Sequence, residues 1–215
     1  MLTIEDLQES GLKIAVDKTG FCYGQDAVLL ARFTKLARGS TLLDLGCGCG
    51  ILSILLQSRF SARVTAVDVQ PRPCELLEES ARRNGQPIRV LCADLRALYP
   101  APGCEAFDTA VCNPPYHRTG TRSPNAARRV STHQDACDIA EVARCAARML
   151  KNGGRLTLCY PAPALAACFA ALVNEGLAPK RLQLVCAAGK PPYLALIEAR
   201  KGGGEGLLFE DTIVL

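Results

Sequence analysis

The sequence has few of the features from which metal centres, disulfide scaffolds and membrane spans are built. It contains only two histidines, and its twelve cysteines never show the doubled C-x-x-C spacing of a zinc site. Most of these cysteines lie within apolar runs of a chain too large to need a disulfide framework, so we expect buried free thiols. No apolar run reaches the roughly 18 residues of a spanning helix, and the acidic N-terminal segment is unlike a signal peptide. We therefore expect a cytoplasmic protein that holds no metal and no membrane segment.

The composition is that of one globular domain. Of the 215 residues, 49% are hydrophobic, which is ample for a single large core and too rich for a disordered chain. The net charge of +4 is mildly basic. It is compatible with an anionic partner without demanding one.

Apolar runs of strand length alternate with stretches of helical periodicity, which predicts βαβ units with helices on both faces of a parallel sheet. The predicted strands are Thr41–Leu45, Arg63–Asp68, Ile88–Cys92, Phe107–Cys112, Arg155–Tyr160, Arg181–Ala187 and Tyr193–Ala199. The predicted helices are Gly24–Ala37, Ile51–Phe60, Pro73–Asn84, Ile139–Leu150 and Pro163–Glu175. The break between the last two strands is too short for a crossover helix, so these strands should pair antiparallel. The pattern predicts a doubly wound, mostly parallel, seven-stranded α/β sheet with an antiparallel last hairpin.

The alternation does not cover the two ends of the chain. We divide the sequence into a lead-in of residues 1–40, a main domain of residues 41–200 and a C-terminal tail of residues 201–215. Within the main domain, Asn152-Gly153-Gly154 should end the helix before the fifth predicted strand. The run Gly202-Gly203-Gly204 predicts a turn or a loose tail.

A glycine-rich motif follows the first predicted strand. Asp44 and Leu45 precede Gly46, Gly48 and Gly50, which allow a tight turn and a close approach of the backbone to a ligand. A dinucleotide loop would need its third glycine one position later, where this chain has isoleucine. A carboxylate beside the loop disfavours phosphate and suits an ammonium group. S-adenosylmethionine carries an ammonium and no phosphate, so the motif favours that cofactor.

Two further acids end the next two strands. Asp68, followed by Val69, is placed to accept hydrogen bonds from the vicinal hydroxyls of a ribose. Asp94 can accept from an adenine amino group, with Leu95 as an apolar wall, or it can simply cap a helix.

The most specific motif is Asn113-Pro114-Pro115-Tyr116, at the carboxyl end of the fourth strand. The motif suits the methylation of an amine that is conjugated with a ring, which is by itself a poor nucleophile. The Asn113 side-chain oxygen and the Pro114 carbonyl can each accept one of its N–H bonds, which stabilises the charge that develops during attack. Pro114 and Pro115 fix the backbone, and Tyr116 offers a face on which a planar base can stack.

Together these motifs resemble the S-adenosylmethionine-dependent amino-methyltransferases that carry Asn-Pro-Pro-Tyr. The resemblance spans roughly residues 20–200 and implies the Rossmann-like class I methyltransferase fold. The segment Phe21–Leu30 resembles, more closely, the F-x-x-G-x-D-A-x-L-L lead-in of the bacterial tRNA(Val) adenine-37 N6-methyltransferase family. That resemblance implies that Tyr23, Gly24 and Asp26 lie near the methionine part of the cofactor.

The chain departs from that family at two places. The segment Tyr160–Leu165 lacks the arginine that members often carry there, and Gln25 replaces the usual threonine of the lead-in. The departures leave the amino-methyltransferase class well supported and the particular tRNA open.

A basic loop of residues 117–129 follows the Asn-Pro-Pro-Tyr motif and contains no acidic residue. Its arginines could contact RNA phosphates without reading the sequence, or the loop could simply be solvated. The predicted RNA-binding residues are Arg118, Arg122, Arg128 and Arg129.

We therefore predict an enzyme, monomeric or weakly dimeric, that methylates N6 of an adenine in tRNA, next to the anticodon. Alternatives are a release-factor glutamine-N5 methyltransferase, which usually has an extra N-terminal domain, and a DNA or rRNA adenine-N6 methyltransferase. A separate target-recognition region, expected for DNA, is not visible. The glycine spacing argues against a nucleotide-binding oxidoreductase, and a non-catalytic binding module would not need an intact Asn113-Pro114-Pro115-Tyr116.

Overall fold

A computed structural model describes residues 2–7, 11–17, 20, 22–98, 105–114 and 138–215 of the chain. The strands are β1 Leu2–Leu7, β2 Leu12–Asp17, β3 Thr41–Leu45, β4 Arg63–Asp68, β5 Ile88–Cys92, β6 Phe107–Cys112, β7 Leu150–Pro161, β8 Leu177–Cys186, β9 Leu194–Lys201 and β10 Leu208–Val214. The α-helices are α1 Gln25–Phe33, α2 Ile51–Phe60, α3 Pro71–Asn84, α4 Ile139–Met149 and α5 Leu165–Asn174. Short 3₁₀ turns occupy Leu95–Ala97 and Ala162–Ala164.

One eight-stranded sheet organises the fold, in the strand order β10-β8-β9-β7-β6-β3-β4-β5. The five strands from β7 to β5 in this order run parallel, whereas β9 lies antiparallel between β7 and β8. Helices α1, α2 and α3 pack in a core cluster on one face, and α4 and α5 pack in a second cluster on the other. The predicted doubly wound α/β fold with an antiparallel last hairpin is confirmed.

The sheet has one strand more than the seven predicted, because Leu208–Val214 adds β10 parallel to β8. Gly202 lies in a turn, which is one of the two possibilities that the glycine run predicted. The buried side chain of Arg181 holds β10 in place. Its guanidinium donates to Glu210 at 2.9 Å, to Glu198 at 2.6 Å and to the Phe33 carbonyl at 3.2 Å. It also stacks over the Phe33 ring, 4.2 Å from the centroid. The same side chain thus connects β8, β9, β10 and α1.

We had expected the glycines at 153 and 154 to separate a helix from a strand, but they lie inside the strand. Helix α4 ends at Met149 and β7 begins at once with Leu150. Gly153 has a φ of +77°, and the pairing with β6 shifts register between Phe107 and Thr109. The glycines therefore accommodate an irregularity inside the strand, which only the pairing with β6 reveals.

Two of the helices, α3 and α4, have residues at their ends that favour starting or stopping a helix. Pro71 stands in the first turn of α3, and Gly85 ends that helix with a φ of +62°. Asp138 and Glu141 form a reciprocal capping box at the start of α4. The box fixes the residue at which α4 begins.

Ten cysteines lie in the described part of the chain, all of them as free thiols, and seven of the ten are buried. The prediction of buried free thiols is confirmed for these seven. Within the described residues, no helix is both long enough and apolar enough to cross a membrane.

Candidate active site

The carboxyl ends of β3, β4, β5 and β6 lie at one edge of the sheet and carry the predicted site segments. Strand register pairs Leu45 of β3 with Val67 of β4 and with Cys112 of β6. The next residue on each of these three strands therefore lies at the same height along the sheet: Gly46, where the glycine loop begins, Asp68 and Asn113. Open α/β sheets bind their ligands outside this edge.

The three glycines of the glycine loop have two different reasons to lack a side chain. All three have positive φ, at 67° for Gly46, 54° for Gly48 and 84° for Gly50. A Cβ at Gly46 or Gly48 would meet no atom within 4 Å, whereas a Cβ at Gly50 would overlap the Leu77 side chain. The first two glycines thus leave an open cradle at the sheet edge, and the third allows close packing on α3.

Asp68 joins the glycine loop to the end of β4. Its Oδ2 accepts from the Gly48 N–H at 3.0 Å, and its Oδ1 accepts from the Gln70 N–H at 3.0 Å. The carboxylate is 9% exposed, and Val69 beside it is 48% exposed. Each carboxylate oxygen retains acceptor capacity toward the edge, as the hydroxyls of a ribose would require.

Asp44 is fully buried under the glycine loop, where one of its two oxygens has no partner. Oδ2 accepts from the Ser53 hydroxyl at 2.7 Å, and Oδ1 has no hydrogen bond within the described part of the chain. Burial, and secondarily repulsion from Asp68, raises the pKa of Asp44 to about 7 although the Ser53 hydrogen bond opposes the shift. A buried carboxylate oxygen that no hydrogen-bond donor contacts suits a ligand that supplies a positively charged donor, such as an ammonium group. Leu45, in contrast, has its side chain in the core.

Asp94 lies beside Asp68, because the Ala93 N–H donates to the Asp68 carbonyl at 2.9 Å. Its side chain caps the 3₁₀ turn by accepting from the Arg96 N–H at 2.9 Å. The Arg96 guanidinium also donates to both carboxylate oxygens, at 2.9 and 2.6 Å, and lowers the pKa of Asp94. The structure therefore contains the capping geometry, and an adenine amino group would share this carboxylate with Arg96. Leu95 packs partly against the core.

Asn113 follows β6 directly, on the other side of β3 from Asp68. Its side-chain Oδ1 accepts a hydrogen bond from the Cys159 thiol of β7 at 2.9 Å. Pro114 is buried beside it. The amide oxygen and the cofactor cradle are thus on neighbouring strand ends, as methyl transfer to an amine requires.

The lead-in comes close to the glycine loop at Tyr23. The pKa of the Tyr23 phenol is raised by partial burial and, to a smaller extent, by the nearby Glu5 and Cys49. Since Cys49 belongs to the glycine loop, the phenol lies near that loop. Gly24 is the N-cap residue of α1, and Asp26 stands in its first turn. Pro115, Tyr116 and the arginines of the basic loop lie outside the described residues.

Two polar contacts of the site were not predicted from the sequence. Ser53 is the one polar residue in the apolar run Ile51–Leu56 of α2, and this isolation was a signal that its hydroxyl has a buried partner. Cys159 lies in an apolar strand and gave no such signal.

Comparison with known proteins finds similar methyltransferases over most of the chain. The family model described as methyltransferase small domain matches residues 23–162. A Bacteroides fragilis protein named tRNA1(Val) (adenine(37)-N6)-methyltransferase is 29% identical over 184 residues, which cover 84% of this chain and 78% of the relative.

Two solved structures are similar in fold. A predicted O-methyltransferase from Agrobacterium tumefaciens has a TM-score of 0.71 at 23% identity, covering 88% of this chain and 86% of its own. A T. thermophilus 16S rRNA N2 G1207 methyltransferase, solved with AdoMet and guanosine, has a TM-score of 0.67 at 19% identity. The match covers 94% of this chain and 50% of that one.

Proposed function

We propose, from the premise that the chain belongs to the methyltransferase small domain family, that it methylates N6 of an adenine in tRNA, next to the anticodon. The predictions that it is an enzyme and depends on S-adenosylmethionine are confirmed by its family and fold. The observation that carries the proposal is Asn113-Pro114, placed one strand from the glycine loop. Relatives named as tRNA adenine-37 N6-methyltransferases support the choice of substrate.

The residues at the sheet edge fit the cofactor part by part. The open space at Gly46 and Gly48 allows the cofactor to lie close to the backbone of the glycine loop. The oxygen of Asp44 that has no hydrogen-bond partner suits the ammonium group of the cofactor. Asp68 has acceptor capacity for the ribose hydroxyls. S-adenosylmethionine, when bound, supplies an electrophilic methyl group.

The lead-in and the 3₁₀ turn complete the proposed cofactor pocket. Tyr23, Gly24 and Asp26 would cover its methionine end from the lead-in of residues 1–40. Val69 and Leu95 would form apolar walls for the adenine, and Asp94 would accept from its amino group in competition with Arg96.

Asn113 and Pro114 would bind the amine that is to be methylated. Asn113 Oδ1 and the Pro114 carbonyl each accept one N–H bond, which draws the nitrogen lone pair out of conjugation with the ring. These acceptors stabilise the positive charge on nitrogen in the transition state more than in the ground state, so they raise the rate. Once methylated, the amine is acidic enough to lose a proton to water.

Two arguments favour RNA as the substrate. The basic loop could contact its phosphates, and the target base must leave its stack, which costs less in a loop than in a duplex. Arg118, Arg122, Arg128 and Arg129 would contact phosphates. Pro115 would fix the backbone beside the Pro114 carbonyl, and Tyr116 would stack on the base. An adenine in an anticodon loop leaves its stack more easily than one in a duplex. A tRNA substrate would place the enzyme in the cytoplasm.

Methyl transfer from labelled cofactor to tRNA, rRNA, DNA and release-factor fractions tests the proposal. We expect label in tRNA, recovered as N6-methyladenosine after digestion to nucleosides. Asn113→Ala is the matched control, expected to bind the cofactor normally while the rate falls about 100-fold or more. Label in another fraction, or in another nucleoside, would replace the proposed substrate.

A further inference from the structure

The Asn113 side chain does not stand alone at the end of β6. Parallel pairing sets Cys112 of β6 opposite Leu158 of β7, so the next residues on the two strands, Asn113 and Cys159, are neighbours. The Cys159 thiol donates to Asn113 Oδ1 at 2.9 Å. No other donor in the described residues reaches that oxygen. The acceptor proposed for the substrate amine thus has one fixed partner.

The position of that thiol is set by the core. Cys159 is fully buried, in the core cluster that contains Val111 of β6 and Leu196 of β9. Its register partner on β9 is Leu196. A side chain confined between neighbouring strands has little rotational freedom, so its thiol can serve as a rigid reference for the amide.

We infer that Cys159 is a positioning residue for methyl transfer, which fixes the orientation of the Asn113 amide. The inference rests on the proposed role of Asn113 as the acceptor of the substrate amine. Without the thiol, the amide can turn about its last torsion and present its NH₂ group to the amine. Two donors would then face each other, and the base could not be held productively.

The chemistry of a thiol suits this task. An amide oxygen has two lone pairs, and Cys159 uses one of them, so the other is available for the amine. A thiol is a weak, neutral donor and draws little electron density from the oxygen. A lysine or arginine at the same place would make a stronger, charge-assisted bond and weaken the oxygen as an acceptor.

Cys159→Ala and Cys159→Ser separate this role from simple packing. Alanine removes the donor, and we expect the single-turnover rate on tRNA to fall roughly three- to tenfold, the range of one neutral hydrogen bond. KM for the cofactor should stay unchanged, because Cys159 contacts the amide rather than the cofactor pocket. Serine keeps a donor of similar size and should restore most of the rate, although it buries a more polar group.

Cys168→Ala is the matched control, since Cys168 is equally buried but packs in the core cluster on the opposite face of the sheet. This variant should lose stability comparable with that of Cys159→Ala and keep the wild-type rate. In an Asn113→Ala background, Cys159→Ala should cause no further loss of rate, because the group that it positions is gone.

Three results would overturn the inference: equal rates for Cys159→Ala and wild type, a Cys159→Ser rate no better than that of Cys159→Ala, or additive losses in the double variant. Failure of the proposed function is a different outcome. In that case wild type itself would not methylate tRNA, or Asn113→Ala alone would leave the rate unchanged.

Discussion

Binding of the cofactor should depend on pH through the buried carboxyl of Asp44. Its pKa is raised to about 7, so at pH 6 about one molecule in ten carries the charge that suits an ammonium ligand. The affinity for S-adenosylhomocysteine, which keeps that ammonium, should therefore rise about tenfold between pH 6 and its maximum. At higher pH, where the α-amino group of the ligand loses its proton, the affinity should fall again.

The same group should affect the stability of the ligand-free protein in the opposite direction. Because folding raises this pKa, the protonated form is favoured in the native state, and the stabilisation is lost as pH rises from about 4 to about 7. The change from 3.8 to about 7 corresponds to roughly 4 kcal/mol of unfolding free energy. Asp44→Asn should thus raise the melting temperature at pH 8 and weaken ligand binding at that pH.

Isothermal titration calorimetry from pH 5.5 to 9, with thermal unfolding in the same buffers, measures both effects. Wild type should show an acid limb in affinity that Asp44→Asn lacks. An affinity that is constant between pH 5.5 and 7.5, or an acid limb that survives in Asp44→Asn, would refute the assignment of the ammonium to this carboxylate. A variant that lost affinity only because it had unfolded would show a lower melting temperature rather than a higher one.

Three other substitutions test the remaining parts of the molecule. Asp68→Ala should weaken S-adenosylmethionine binding at least tenfold in calorimetry, because hydrogen bonds to a charged group contribute about 1.5–3 kcal/mol each; unchanged binding would remove it from the site. Replacing Arg122, Arg128 and Arg129 together by Ala should flatten the salt dependence of tRNA binding by roughly 0.7–0.9 per lost phosphate contact, with cofactor affinity as the control. Arg181→Ala should cost about 3–5 kcal/mol of unfolding free energy in denaturant titrations, because it leaves the buried Glu198 carboxylate with only the long ion pair to Arg155 at 3.9 Å; a loss below about 1 kcal/mol, typical of exposed pairs, would contradict this.

The strands that could be predicted are those whose residues form an apolar run of strand length. Those from β3 to β9 are visible as apolar runs because burial selects their residues. In β10 nearly every residue is exposed, including Phe209 at 69%, so no alternation marks it as a strand. The β1–β2 hairpin was also missed: no residue of β1 is buried, and the buried part of β2 is only the short run Ile14–Asp17.

The site could be predicted as far as its motifs are local in sequence. Spacing identified the glycine loop and the acids that end the strands, because strand ends meet at one edge in any parallel sheet. The contacts of Asp44 with Ser53 and of Asn113 with Cys159 depend on packing between elements, which spacing does not encode. The pairing of Asp94 with Arg96 spans two residues and was open to prediction.

The Arg181 contacts also join parts of the chain that are made far apart in time during synthesis. Helix α1 is made early, yet its end at Phe33 is held by Arg181, and the third partner of that guanidinium is Glu210. At a ribosomal rate of about 5–20 residues per second, the interval between Phe33 and Glu210 is on the order of 10–35 s. Arg59 can already donate to the carbonyls of Ala31 and Arg32 early in that interval, but the contacts of Arg181 at Phe33 are complete only when Glu210 has been made. The lead-in is therefore the first of the proposed cofactor segments to be translated, and its contact with Arg181 is among the last to be completed.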